Sequence, residues 1–130
     1  MTMGKEFYDS EGTMLTHVLS MYDRDELLAY VKELRIRRTF FGKKDKLVEK
    51  IANELLTSSV MKKRIAVLLP ECRVLLERAI REPFIPTSEE MEYALRLNES
   101  DYAFLNKEDQ LIVPIDVKIA YEKLNEMMRT

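Results

Sequence analysis

The residues best placed to do chemistry in this sequence are cations. Arg35, Arg37 and Arg38 are followed by Thr39-Phe40-Phe41-Gly42, and then by Lys43, Lys44 and Lys46. Guanidinium and ammonium groups recognise phosphate oxygens. An exposed aromatic ring among them would stack on a base. Gly42 permits a tight turn into a helix whose first N–H groups point outward, towards an anion. The chemistry is therefore electrostatic capture of nucleic acid, and Arg35, Arg37, Arg38, Phe40, Gly42, Lys43, Lys44 and Lys46 form the candidate contact set. Lysines at the start of a helix oppose its dipole, so helix stability does not account for them. Lys62-Lys63-Arg64 either extends this basic face or only opens the next helix. The contrary reading assigns Phe40 and Phe41 to a small core and leaves the cations solvated.

No other constellation supports a reaction. His17 is the single histidine and Cys72 the single cysteine, so a zinc site or a nucleophilic triad lacks its members. Cys72 lies on an apolar stripe and reads as a buried, inert thiol. Neither a P-loop nor a GxGxxG pattern is present, which leaves nucleotide cradling unsupported. The chain is accordingly expected to be no enzyme and to need no metal or cofactor.

The net charge of −2 conceals a segregation. Residues 24–64 carry twelve basic and six acidic side chains, a net of +6, whereas residues 65–130 carry eight basic and thirteen acidic, a net of −5. Such an arrangement suits an anionic partner for the first block, or mutual attraction of the two. Apolar residues make up 46% and charged residues 34%, a globular composition. No apolar run is long enough to span a membrane, and the first residues lack the pattern of a signal peptide. With one cysteine there is no internal disulfide framework, and a cytoplasmic location is expected.

The elements that must position the cations are helices. Residues 1–22 read as a polar tail followed by a short helix from Met14 to Met21. Asp23 and Glu26 have the spacing of a capping box. They open a helix with Leu27, Tyr30, Val31 and Leu34 on one stripe. A second helix over about 43–56 turns Leu47, Val48, Ile51 and Leu55 inward. Thr57-Ser58-Ser59 offers a cap for a helix near Val60 to Leu68. Pro70 starts the next, with Cys72, Leu75, Leu76, Ala79 and Ile80 apolar. Pro83 and Pro86 impose an extended connector. Thr87 and Glu90 form a second capping box, ahead of a helix bearing Met91, Ala94 and Leu95 that stops near Asn98. Tyr102–Leu105 and Leu111–Val113 flank a five-residue polar stretch and predict a β-hairpin. After Pro114 a last helix carries Val117, Ala120, Tyr121, Leu124 and Met128 inward.

The stretch RDELLAYVKELRIRRTFFGKKDKLVEKIANELL, residues 24–56, resembles the SAP motif and the N-terminal helical module of the Rho termination factor. Both are helix-extended loop-helix units. Leu27, Leu28, Val31, Leu34 and Ile36 match the first helix and its exit, and Gly42, Lys43, Lys44, Leu47, Val48 and Ile51 match the second. Arg35 stands where the pattern has glycine, and the loop is about two residues longer. The resemblance implies binding of DNA, or of single-stranded nucleic acid. In element order alone, the second half is similar to a winged helix. Its acidity argues against facing phosphates, and Phe84, Ile85, Tyr93 and Tyr102 are taken as its exposed apolar residues.

The expected fold is mainly α: a helix-loop-helix module over 23–58 packed with a helical unit over 59–130 that contains one β-hairpin at about 102–113. The expected function is nucleic-acid binding, DNA before RNA, through residues 35–46, in a binding or adaptor protein whose acidic half contacts another protein. The rival is a protein-interaction scaffold that binds no nucleic acid.

Overall fold

Asp23 opens its helix as the spacing predicts. Its carboxylate accepts from the Glu26 N–H at 2.8 Å, and the Asp23 N–H donates to the Glu26 side chain at 3.3 Å. In the computed structural model, which describes residues 14–36, 43–100 and 102–129, this box starts α2 (Arg24–Glu33). A short α1 (Leu15–Leu19) precedes it. Beyond it come α3 (Lys44–Leu55), α4 (Ser58–Ala66), α5 (Pro70–Arg81) and α6 (Met91–Asn98). The strands β1 (Phe104–Leu105) and β2 (Leu111–Ile112) follow, and then α7 (Ile115–Arg129). The protein is mainly helical, with one small antiparallel hairpin near its C-terminus.

Burial follows the predicted stripes where these face a neighbour. Leu27 and Val31 of α2 are buried against α3, which buries Leu47, Val48, Ile51 and Leu55. Pro70 occupies the first turn of α5, where its missing N–H is no loss, and Cys72, Leu75, Leu76 and Ala79 are buried behind it. One apolar cluster runs from Leu15 to Leu124, so both halves of the chain contribute to one core.

Three ties between distant segments fix the packing. The first N–H of α1, at Leu15, donates to the Asp116 carboxylate at the start of α7, 3.0 Å away. The Tyr102 hydroxyl, fully buried, donates to the Leu55 carbonyl at 2.6 Å and supplies a partner for the end of α3. Arg64 reaches Glu33 at 3.3 Å and the Ser100 carbonyl at 3.2 Å, with its guanidinium 5.9 Å from the Tyr102 ring centroid.

The hairpin pairs Phe104 with Ile112 and Leu105 with Leu111. Asn106 continues the ladder, its N–H donating to the Gln110 carbonyl, so the turn proper is Lys107 to Asp109. Asp109 has φ 60°, the left-handed residue that closes a three-residue hairpin turn. Asn106 is the buried polar residue here, and its side-chain oxygen accepts from the N–H groups of Glu108 and Gln110. The connector between Pro83 and Pro86 is extended as expected and adds a bridge, with Phe84 exchanging hydrogen bonds with Leu111 on the outer side of β2.

The structure departs from the sequence reading in four places. Phe84 and Tyr102 are buried and not exposed: one bridges the hairpin under the Arg78 guanidinium, 4.0 Å from its ring centroid, and the other spans the core. Met128 is 59% exposed, because the inward stripe of α7 outlasts the core it faces after Leu124. The helix after α3 begins at Ser58, two residues earlier than expected. Thr57 occupies its cap position without a side-chain cap bond; its hydroxyl donates back to the Asn53 carbonyl instead. In α6 the deeply buried residue beside Ala94 is Leu97, while Met91 and Leu95 are only half-buried.

Candidate nucleic-acid interface

Helix α2 ends in a Schellman motif. The Arg35 N–H donates to the Lys32 carbonyl and the Ile36 N–H to the Val31 carbonyl, while Arg35 adopts φ 56°. Glycine is the usual residue at this left-handed position, because a Cβ there costs roughly 1–2 kcal/mol. Arg35 therefore keeps the backbone turn that the pattern's glycine would supply, and it presents an exposed guanidinium from it. Ile36 packs against the core, the apolar contact that accompanies this motif.

Lys43 is the cap residue of α3, in an extended conformation and with no side-chain cap bond. Lys43, Lys44 and Lys46 are all exposed. Arg37, Arg38, Phe40 and Gly42 lie outside the described residues, as do Thr39 and Phe41. The structure thus places four of the eight candidate residues, one at the exit of α2 and three at the entry of α3.

Lys44 is not explained by an anion alone. Its ammonium donates to the carbonyl of Ser20, the residue that closes α1, at 2.8 Å. A cation at a helix C-terminus is favoured by the dipole, so the charge that opposes α3 assists α1. Sequence reasoning missed this, because no pattern links residues 24 positions apart. Lys46 lies 3.7 Å from Glu49, a pair with both side chains well exposed and worth tenths of a kcal/mol at most. Thr16 and Ser20 of α1 and Lys43, Asp45, Lys46 and Glu49 border a surface groove of about 550 Å³. Two carboxylates and two ammonium groups make it mixed in charge.

Elsewhere the structure assembles little reactive chemistry. Among the described residues no three His, Cys, Asp or Glu side chains converge to hold a metal ion. Cys72 is buried and its thiol donates to the Tyr93 carbonyl at 3.6 Å; desolvation raises its pKa above the ordinary thiol value. No helix among the described residues is long and apolar enough to cross a membrane.

The class these observations define is a mainly helical protein with one small antiparallel hairpin and exposed cations at the end of α2 and the start of α3. Compared with family models, curated proteins and solved structures, the chain matches none.

Proposed function

We propose that the protein is a non-enzymatic nucleic-acid-binding or adaptor protein of the cytoplasm. In this reading its SAP-like basic end, Arg35 to Lys46, contacts DNA in preference to RNA, and its acidic half contacts protein. The observation that carries the reading is the exposure of Lys43, Lys44 and Lys46 together at the start of α3. There the helix dipole opposes them, and the N–H groups of a helix's first turn favour an anion. The left-handed turn at Arg35 supports it, because it preserves the exit geometry of the pattern despite the missing glycine.

A scaffold without nucleic-acid affinity is the second reading. It is favoured by the internal partners of Lys44 and Lys46, which give those cations another role.

Fluorescence anisotropy with labelled single- and double-stranded DNA and RNA separates the two. Binding is expected to be micromolar or weaker, and the log–log salt slope should reflect roughly three to five neutralised phosphates. The double variant Arg37→Glu/Arg38→Glu should abolish binding while changing stability by about 0.5 kcal/mol or less. Flat titrations with all four probes at roughly 50 mM salt, where electrostatic binding is strong, leave the scaffold reading.

A further inference from the structure

The acidic half has an apolar groove of its own, between α5 and α6. Val74, Leu75 and Tyr93 form its floor, and Glu71, Glu89 and Glu90 its rim, around a volume of about 320 Å³. Val74 is 63% exposed in mid-helix, off the buried stripe of α5. A β-branched residue there gains neither burial nor helix propensity. Tyr93 is half-buried with its hydroxyl bonded to Glu71, and that carboxylate is the first cause of its raised pKa.

The charge around this floor is one-sided. The lining carries three carboxylates, Glu71, Glu89 and Glu90, and no cation, and Glu92 acts on Tyr93 from its own helix. Arg78 is held by Glu90 at 3.3 Å, and Arg96 acts on Tyr93 from its own helix. Glu71, Glu89 and Glu92 are exposed. An occupant must therefore bring an apolar anchor and positive flanks, which excludes nucleic acid.

We propose that the α5–α6 groove receives a basic, apolar-anchored peptide segment of a partner protein, with an aliphatic side chain on Val74, Leu75 and Tyr93 and flanking Lys or Arg side chains on Glu71 and Glu89. The proposal rests on reading the acidic half as a protein-contact surface, and it names the place and the partner's chemistry. It is independent of the basic end.

The test is a titration of the isotope-labelled full chain with a synthetic amphipathic Leu–Lys peptide, followed by amide chemical shifts. Salt is kept at about 150 mM, where the Debye length of roughly 8 Å suppresses diffuse attraction. Saturable shifts at Val74, Leu75, Glu89 and Tyr93 are expected, with no comparable response to an all-Lys or a Leu–Glu peptide. Glu71→Gln/Glu89→Gln should weaken binding about fivefold to tenfold, and Val74→Ser about threefold or more, since a central anchor and its charged rim act together. Thermal unfolding checks that each variant folds, and the surface position of Val74 keeps one variant available if the double change does not. Shifts that fall instead around Glu77, Tyr121 and Glu122 overturn the groove and leave the wider protein-contact reading. No shift anywhere on the acidic half removes both. Self-association in sedimentation that Val74→Ser abolishes assigns the groove to a second copy and overturns the partner proposal.

Discussion

The hairpin and the basic end use similar polar side chains to opposite purposes. At the hairpin they turn inward. Asn106 is fully buried with its oxygen bonded to two N–H groups and its amide donating to the Gln110 side chain, and Asn98 accepts from the Leu105 N–H. At the basic end Arg35, Lys43, Lys44 and Lys46 are exposed, and the N–H groups of Arg35 and Ile36 are bonded back to α2. A buried polar group must be satisfied or it costs about 1–3 kcal/mol, so its identity is held by stability. An exposed cation contributes little to folding, so stability leaves its identity free. The comparison predicts that substitutions at the hairpin change stability, while substitutions at the basic end change binding.

The strongest way to break that contrast is Asn106→Ala. It removes the acceptor for Glu108 and Gln110 together from a buried turn, and a loss of about 2–3 kcal/mol is expected in urea unfolding. A loss below about 0.5 kcal/mol, the level of an ordinary surface change, would show that water replaces the side chain and that the hairpin is no more committed than the loop.

Arg35→Gly sharpens the other side. Glycine adopts φ 56° without strain, and against its larger unfolded-state entropy a net gain of about 0.5–1 kcal/mol is expected. The same change removes a cation, so the variant should unfold at higher denaturant and bind nucleic acid more weakly. An unchanged affinity would take Arg35 out of the contact set.

The smallest effect is expected for Lys43→Glu. A carboxylate at the start of α3 follows the dipole where lysine opposes it, which adds about 0.3–1 kcal/mol at most, and less at high salt. Stability by thermal melting should rise slightly while nucleic-acid affinity falls. If both fall together, Lys43 is structural and the scaffold reading gains.

Much of the helical frame is legible in the sequence. The boxes at Asp23–Glu26 and Thr87–Glu90 are local chemistry, and in both the side chain and backbone exchange hydrogen bonds as the spacing requires, although the second closes a turn ahead of α6, which starts at Met91 with Glu90 as its cap residue. The stripe Leu47, Val48, Ile51, Leu55 repeats often enough to name the inward face of α3. What escaped depends on partners far along the chain. Tyr102 heads a short apolar run and Phe84 lies between two prolines, patterns that do not say which side faces inward, and only the Leu55 carbonyl and the β2 edge explain their burial. Met128 shows the reverse error, since periodicity continues past the place where the opposing surface ends. Of the candidate interface, the cations could be named from composition. The left-handed turn at Arg35 could not, because the residue type argues for a different backbone than the one it adopts. Nor could the role of Lys44, whose acceptor is on another helix.

The bond from Leu15 to Asp116 has a consequence for how the molecule is assembled. The two residues are 101 positions apart, so during synthesis on the ribosome the first helix emerges long before its terminal acceptor is made. Helix α1 has five residues, too few to persist alone in water. Its neighbours α2 and α3 can pair early through local contacts, but α1 gains its acceptor only when α7 docks. Helix α1 also packs on α3, so its set of partners is complete only when the two ends of the described chain are joined. In pulse-labelling hydrogen exchange the Leu15 amide should be protected with α7, later than the amides of α3, although it is translated before both.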